Sequence, residues 1–232
     1  MRQYNMKNLT KVITVGAITV ATLFGASTFA HADTTTSTGK IKIEADDSAV
    51  TPLNPTNPDN PVPATPDPAD PDNTGTGNTG ALTIDFLSNI DFGTQKVSGQ
   101  SEKYYAENKN PYIQVTDKRG TGAGWTLTAT ATDFKDGSKT LKGAEMSLTD
   151  GEVRTQSDNQ SAAPTTSDVT LNGSSQAVLS AEANAGMGTW LDVYPGTQGN
   201  NENVVLYVPA GNLAGDYSSA ITWTLEDSPS AE

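Results

Sequence analysis

The sequence predicts an all-β fold, a single sandwich or barrel-like domain of mostly antiparallel strands. Two stretches, 125–132 and 221–225, support this most directly, because apolar and polar side chains alternate strictly along both. Successive side chains of a strand point to opposite faces, so a period of two is typical of a half-buried antiparallel strand. Many shorter segments of this kind lie between Gly, Pro and Asn turns, as in sandwiches and barrels.

The other strands are expected in order along the chain. Leu82, Ile84 and Phe86 alternate with polar residues at the start of the domain, and Asp136-Gly137 predicts the tip of a hairpin. Further strands, each flanked by turn residues, are predicted at 112–116, 141–149, 169–171, 177–179, 190–194, 204–208 and 217–225. No stretch keeps an apolar helical period over three turns, so we expect no long amphipathic helix.

The first 32 residues have the three parts of a secretory signal peptide. Three basic residues precede an apolar stretch at 12–24, and a small-x-small cleavage site follows at 30–32. The apolar stretch is too short for a comfortable membrane span. We therefore expect an exported protein whose mature chain begins at Asp33.

Two further segments separate the signal peptide from the β-domain, which is predicted to cover 81–232. Residues 33–50 form an N-terminal segment in which 40–44, Lys-Ile-Lys-Ile-Glu, alternate like a short edge strand. Whether this strand docks on the domain, which would bury its two isoleucines, stays open. Residues 51–80 are rich in proline and then in glycine, which predicts an extended and flexible spacer.

The residue inventory excludes several kinds of chemistry. Signal cleavage removes the only histidine, His31, and the chain has no cysteine. A Ser-His-Asp triad, a Cys-His pair, a His/Cys zinc site and a disulfide are therefore excluded from the mature protein. The acidic residues lack the spacing of a calcium loop, and no pair of carboxylates stands out as in a glycosidase. We expect no metal, no cofactor and no enzymatic activity.

The charge of the chain limits its partners. The net charge is −13, and it becomes −16 without the three basic residues of the signal peptide. This balance argues against nucleic acid and anionic lipid as partners, since both require basic patches. The C-terminal residues show no hydrophobic tail, and no cysteine follows the cleavage site. Retention at a cell surface is therefore expected to be non-covalent, through shape, stacking and hydrogen bonds.

The tripeptide Trp-Thr-Leu occurs twice, at 125–127 and 223–225, the second copy close to the C-terminus. Other segments accompany it in a fixed order: 82–86 and 91–93, 188–190, 208–209 and 215–217. Together with the export signal and the proline-rich segment, this set resembles the small WxL-domain proteins of the Gram-positive cell surface. The resemblance covers essentially the whole mature chain. It implies non-covalent attachment to the cell wall, with peptidoglycan as ligand, within complexes that include other WxL-type or membrane-anchored surface proteins.

Only the motif positions Trp125, Leu127, Trp223 and Leu225 are carried over as candidate binding residues. A Trp and a Leu on one strand face are equally typical of core packing, because each Trp buries roughly 200 Å². Both roles stay open from the sequence. Trp190 lies near a Pro-Gly turn and is a further candidate for an exposed aromatic ring.

The function expected from these observations is non-covalent peptidoglycan binding at the cell surface, as part of a surface complex. The alternative is a protein–protein interaction module that docks on another surface protein, so that attachment to the wall is indirect. The acidic charge and the edge-like segment 40–44 favour this alternative. A fibre subunit that exchanges strands between copies is also compatible with the sequence.

Overall fold

A computed structural model describes residues 33–60 and 65–227 of the chain. The chain divides into two units, one ending at Ile41 and the other beginning at Lys42. All residues described in the first unit, 33–41, are exposed. The second unit contains only strands and irregular segments within the described ranges, so the all-β prediction is confirmed. The predicted signal peptide lies outside the described residues, and none of the described residues forms a helix that could cross a membrane.

Fourteen strands are found in the described part of the chain. They are β1 (Leu82–Leu87), β2 (Glu102–Ala106), β3 (Tyr112–Asp117), β4 (Trp125–Ala131), β5 (Lys135–Asp136), β6 (Lys139–Thr140), β7 (Glu145–Leu148), β8 (Glu152–Arg154), β9 (Thr165–Thr166), β10 (Val169–Leu171), β11 (Gln176–Ala181), β12 (Gly188–Val193), β13 (Asn201–Val208) and β14 (Ile221–Glu226). All pairings between these strands are antiparallel.

Three four-stranded sheets make up the domain. Sheet A has the order β1-β3-β12-β8, sheet B the order β10-β7-β13-β2, and sheet C the order β14-β4-β11-β9. The strands β5 and β6 form a separate hairpin with Gly137 in its turn. Asp136, predicted with Gly137 as the tip of the hairpin, is instead the last residue of β5. Sheets B and C approach each other at β10 and β11, whereas β2 and β14 are the terminal strands at their other ends.

One apolar core joins the three sheets. Its buried members come from β3 in sheet A, from β2, β7, β10 and β13 in sheet B, from β4 and β11 in sheet C, and from two residues outside the strands, Ala185 and Tyr194. The opposite face of sheet A carries a smaller cluster in which the rings of Phe86 and Tyr112 stack 4.2 Å apart. Sheet A therefore buries apolar side chains on both faces, which explains why every residue of β3 is buried.

The two Trp-Thr-Leu motifs lie side by side in sheet C. The strand β14 pairs with β4 so that Leu225 is opposite Leu127 and Trp223 is opposite Ala129. Directly opposed residues of an antiparallel pair share a face, so both motifs present their Trp and Leu to the core side. Alternation is complete in β14, whereas Thr126 is also buried in β4, the strand with neighbours on both edges.

Arg119 ties the ends of these two strands together. Its Nη2 donates a hydrogen bond of 2.8 Å to the carbonyl of Gly124, just before β4, and its Nη1 donates one of 3.3 Å to the carbonyl of Asp227, just after β14. The guanidinium also forms an ion pair with buried Asp117 at 2.8 Å. The charged guanidinium of Arg119 thus donates hydrogen bonds at the start of β4 and the end of β14, next to Asp117 at the end of β3.

Described residues of the proline-rich segment, predicted as an extended and flexible spacer, form hydrogen bonds with sheet A. The backbone N–H of Leu53 donates to Oε1 of Gln114 at 2.7 Å, and the Tyr112 hydroxyl donates to the Leu53 carbonyl at 3.2 Å. Nη1 of Arg154 donates to the Pro55 carbonyl at 2.6 Å. Polyproline-type segments leave their own carbonyls unpaired, so neighbouring side chains of sheet A supply the donors. Much of the segment 51–80 therefore lies against the domain.

Residues 40–44 differ from the prediction. They form no strand, and Ile41 and Ile43 are 86% and 84% exposed. Three strands were not expected: β2, β8 and β9. The last two are only two or three residues long, and β2 begins with two charged residues, so neither length nor periodicity indicates them.

Trp125→Ala is expected to lower the free energy of unfolding by about 3–5 kcal/mol, because it empties a fully buried site in the main core. It also leaves the Gly186 carbonyl without the hydrogen bond that the indole Nε1 donates at 3.0 Å. Urea denaturation of the purified variant measures the loss. Thr224→Ala, at an exposed position of the second motif, is the control and should change stability by less than about 0.5 kcal/mol. Equal stabilities of the two variants would contradict a structural role for Trp125.

Candidate functional site

The five candidate residues differ sharply in their exposure. Trp125 and Leu127 are 0% exposed, and Trp190 is 4% exposed. The prediction of an exposed Trp190 ring is wrong, because β12 lies between β3 and β8, and the indole Nε1 is bonded to the Met187 carbonyl at 2.9 Å. Only Trp223 and Leu225 are half-buried. A ligand can therefore reach the second motif without unfolding of the domain, but not the first.

A groove of about 940 Å³ opens beside Trp223. It lies between the terminal strands of sheets B and C, since Tyr104 of β2 and Ile221 of β14 line opposite sides. Aromatic and aliphatic side chains form much of its wall: Phe92, Tyr104, Phe134, Met146, Leu206, Val208, Ile221 and Trp223. The groove is thus the open edge of the sandwich, where the core reaches the surface.

Two loops form the rim of this groove. They contribute Val97 and Leu213, whose side chains are 67% and 68% exposed. Within the described residues, the large apolar side chains that are exposed are these two and the isoleucines at 41 and 43. Charged residues lie on the same loops, namely the carboxylates Asp91 and Asp216 and the lysine Lys96. The rim therefore combines exposed apolar groups with charged groups in which carboxylates outnumber the base.

A second surface lies on the outer face of sheet B. Tyr104 and Tyr105 point to opposite faces, as expected of adjacent strand residues, so Tyr104 lines the groove and Tyr105 faces outward. Tyr105 is directly opposite Val205, which places Tyr207 diagonally beside it on the same face. Both tyrosines are half-buried. We call this surface the tyrosine face; its residues are Lys103, Tyr105, Glu145, Ser147, Thr170, Val205 and Tyr207.

The tyrosine face is polar around its two rings. Lys103 and Glu145 are exposed and flank Tyr207 on the two neighbouring strands. Farther along, the hydroxyls of Ser147 and Thr170 form a hydrogen bond of 3.0 Å across β7 and β10. The arrangement is a flat sheet surface with aromatic rings, hydroxyl groups and one charge of each sign. Such a surface can stack on sugar rings and exchange hydrogen bonds with their hydroxyls.

A buried carboxyl with a raised pKa belongs to Asp192 in sheet A, away from the residues that line the groove. Burial raises its pKa from 3.8 to about 6, although the hydroxyls of Thr166 and Tyr194 donate to its Oδ2 at 2.9 and 2.8 Å. Its Oδ1 is buried and has no hydrogen-bond partner among the described residues. Burial and the Asp192 charge also raise the pKa of Tyr194. The cluster can hold a proton, but it is enclosed, so it resembles no accessible catalytic pair.

The chain matches the family described as "WxL domain surface cell wall-binding" over residues 30–229. This match spans most of the sequence, and the chain therefore belongs to the WxL family. The protein acts at the cell surface and binds the cell wall, as the family description states. No curated protein and no solved structure matches the chain.

The stability of the protein is expected to depend on the protonation of Asp192. Its pKa is higher in the folded state, so the folded protein binds this proton more tightly than the unfolded chain. Its contribution to the free energy of unfolding is therefore largest at low pH and is lost as the pH rises from about 3.8 to about 6. At roughly 1.4 kcal/mol per pKa unit, this contribution is about 3 kcal/mol.

Urea denaturation at pH 4.5 and pH 7.5 tests this for the wild type and for Asp192→Asn. The Asn variant cannot titrate, so the stability difference between wild type and variant should favour the wild type more at pH 4.5 than at pH 7.5. A difference that is the same at both pH values would show that Asp192 ionises normally in the folded protein.

Proposed function

We propose that the wall polymer bound by this protein is peptidoglycan of a Gram-positive cell, and that its glycan strands lie on the tyrosine face. The observation that carries the proposal is the pair of half-exposed rings, Tyr105 and Tyr207, on one face of sheet B. A glycan strand is a row of sugar rings with apolar ring faces and polar edges. Two tyrosines in diagonal positions about 7–8 Å apart offer successive stacking surfaces to such a strand.

The charge distribution is compatible with this ligand. Peptidoglycan carries carboxylates on its stem peptides, which the net charge of the protein repels. Lys103, exposed beside Tyr207, supplies a local cation on the proposed contact surface. The hydroxyls of Ser147 and Thr170 add groups that both donate and accept hydrogen bonds. Attachment then depends on stacking and hydrogen bonds more than on overall charge.

The combined change Tyr105→Ala and Tyr207→Ala is expected to weaken binding to purified peptidoglycan sacculi about tenfold or more. Each lost ring contact contributes roughly 1 kcal/mol beyond the area that it buries. Co-sedimentation with sacculi stripped of other polymers measures the bound fraction. The matched control is Thr222→Ala with Thr224→Ala, which changes two exposed residues on the outer face of sheet C instead.

A second change separates the tyrosine face from the groove. Val97→Asp with Leu213→Asp makes the groove rim charged and should leave the binding of a single chain to soluble peptidoglycan fragments unchanged. Loss of binding in this variant, with full binding in the tyrosine variant, would place the glycan in the groove instead. A wild-type protein that fails to sediment with sacculi would contradict peptidoglycan as the ligand.

A second function, docking of another polypeptide, is favoured by the groove itself. The strand β14 has a neighbour on one edge only, β4, and the apolar groove lies beside its other edge. A terminal strand presents unpaired N–H and C=O groups that an extended segment can pair with. We therefore propose that the groove accepts an extended strand with apolar residues at alternate positions. This would join the wall-bound protein to a surface complex.

A further inference from the structure

We propose that the strand accepted by the groove is residues 40–44 of a second copy of this chain, here called the N-terminal arm. The arm would pair with the free edge of β14 and insert Ile41 and Ile43 between the rim loops, so that copies join head to tail. This inference rests on the proposed docking role of the groove and identifies its occupant.

The distribution of exposed apolar side chains supports this pairing. In the described part of the chain, large apolar side chains that are exposed occur in two places, Ile41 and Ile43 on the arm and Val97 and Leu213 on the groove rim. Single exposed apolar residues are common on protein surfaces, whereas apolar residues grouped in one place often mark an interaction site. Both places carry two exposed aliphatic side chains, which could contact each other.

The period of the arm fits the period of β14. Along β14 the residues Ile221, Trp223 and Leu225 face the core side and are half-buried, whereas the alternate residues are exposed. A strand added beside β14 must follow the same alternation, because residues of paired strands share faces. Ile41 and Ile43 would then face the groove, and the charged residues of the arm would face water.

The charges of the two surfaces are complementary. The arm carries Lys40 and Lys42, whereas β14 exposes Glu226 on its outer face. The groove lining adds two carboxylates, Asp91 and Asp216, against one lysine, Lys96. In the isolated chain Lys42 forms an ion pair only with Glu44, two residues away and largely exposed. The strong net negative charge opposes association between copies, so two lysines at the contact offset the repulsion locally.

The anchoring of the arm favours a second copy over the same molecule. The arm is followed by Asp46, which is held at Lys118 through a backbone bond of 3.4 Å and a side-chain bond of 2.9 Å. In this arrangement Ile43 remains 84% exposed while the groove is open.

Head-to-tail contacts of this kind use two different surfaces of each copy. Such heterologous contacts produce open chains, or rings where the rotation between copies closes. Each copy in the interior of a chain would donate one arm and accept another. The tyrosine face belongs to the outer face of sheet B and takes no part in this contact. An assembled chain could therefore bind the wall at many points.

The test uses the secreted protein purified from culture medium, analysed by sedimentation velocity over a range of concentrations. The wild type is expected to form concentration-dependent oligomers. An arm variant, Ile41→Asp with Ile43→Asp, and a rim variant, Val97→Asp with Leu213→Asp, should each be monomeric, with the association at least tenfold weaker. The conservative variant Ile41→Val with Ile43→Val should still associate. All four substituted side chains are exposed, so circular dichroism should show an unchanged fold.

An equimolar mixture of the arm variant and the rim variant gives the sharpest result. The rim variant still has an intact arm and the arm variant an intact groove, so the mixture should form dimers and nothing larger. A wild type that stays monomeric, or variants that still form the wild-type oligomers, would overturn the inference. A synthetic peptide of residues 38–46 distinguishes the two levels of the proposal. If it binds the wild-type groove and shifts the Trp223 fluorescence while the protein stays monomeric, the groove docks strands but not those of a second copy.

Discussion

The pairing of β4 with β14 is the contact on which the rest of the domain depends. It brings together two identical tripeptides from distant parts of the chain and sets Leu127 against Leu225 within one face of sheet C. Trp125 then fills the core, and its indole bonds to Gly186, where a Cβ would lie only 2.7 Å from Nε1. Arg119 holds the ends of both strands. The family motif therefore closes the fold, and Trp223 of its second copy also lines the groove.

The same pairing also creates the surface that remains open. Because β14 is added last along the chain and pairs with β4 alone, sheet C ends at a free edge facing the end of sheet B. The half-buried Trp223 lies at this edge, whereas its counterpart Trp125 is enclosed. Two copies of one motif thus have different surroundings. We propose two separate contact surfaces. The outer face of sheet B contacts glycan, and the open edge of the sandwich contacts protein.

Much of the fold could be predicted from the sequence, because strand period and turn residues are local signals. The alternation in β14 and the shared strand face of Trp125 and Leu127 follow directly from side-chain spacing, whereas the sequence left open whether that face is buried. The groove could not be predicted, since Val97 and Leu213 are single apolar residues in polar loops that only the pairing of distant strands brings together. The sequence predicts Trp190 near a turn, but its strand, β12, lies between β3 and β8 in sheet A. The proline-rich segment lies against the domain through Gln114 and Arg154, partners that composition cannot indicate.

The division between a structural motif and a separate wall-binding face is tested most directly by nuclear magnetic resonance titration of the protein with soluble peptidoglycan fragments. The ring signals of Tyr105 and Tyr207 should shift progressively with added fragment. The indole N–H signals of Trp125 and Trp190 should stay in place, because both rings are enclosed and bonded to backbone carbonyls. If the largest shifts occur at Trp223 and Leu225 and the tyrosine signals do not move, the glycan binds at the second motif and the account is contradicted.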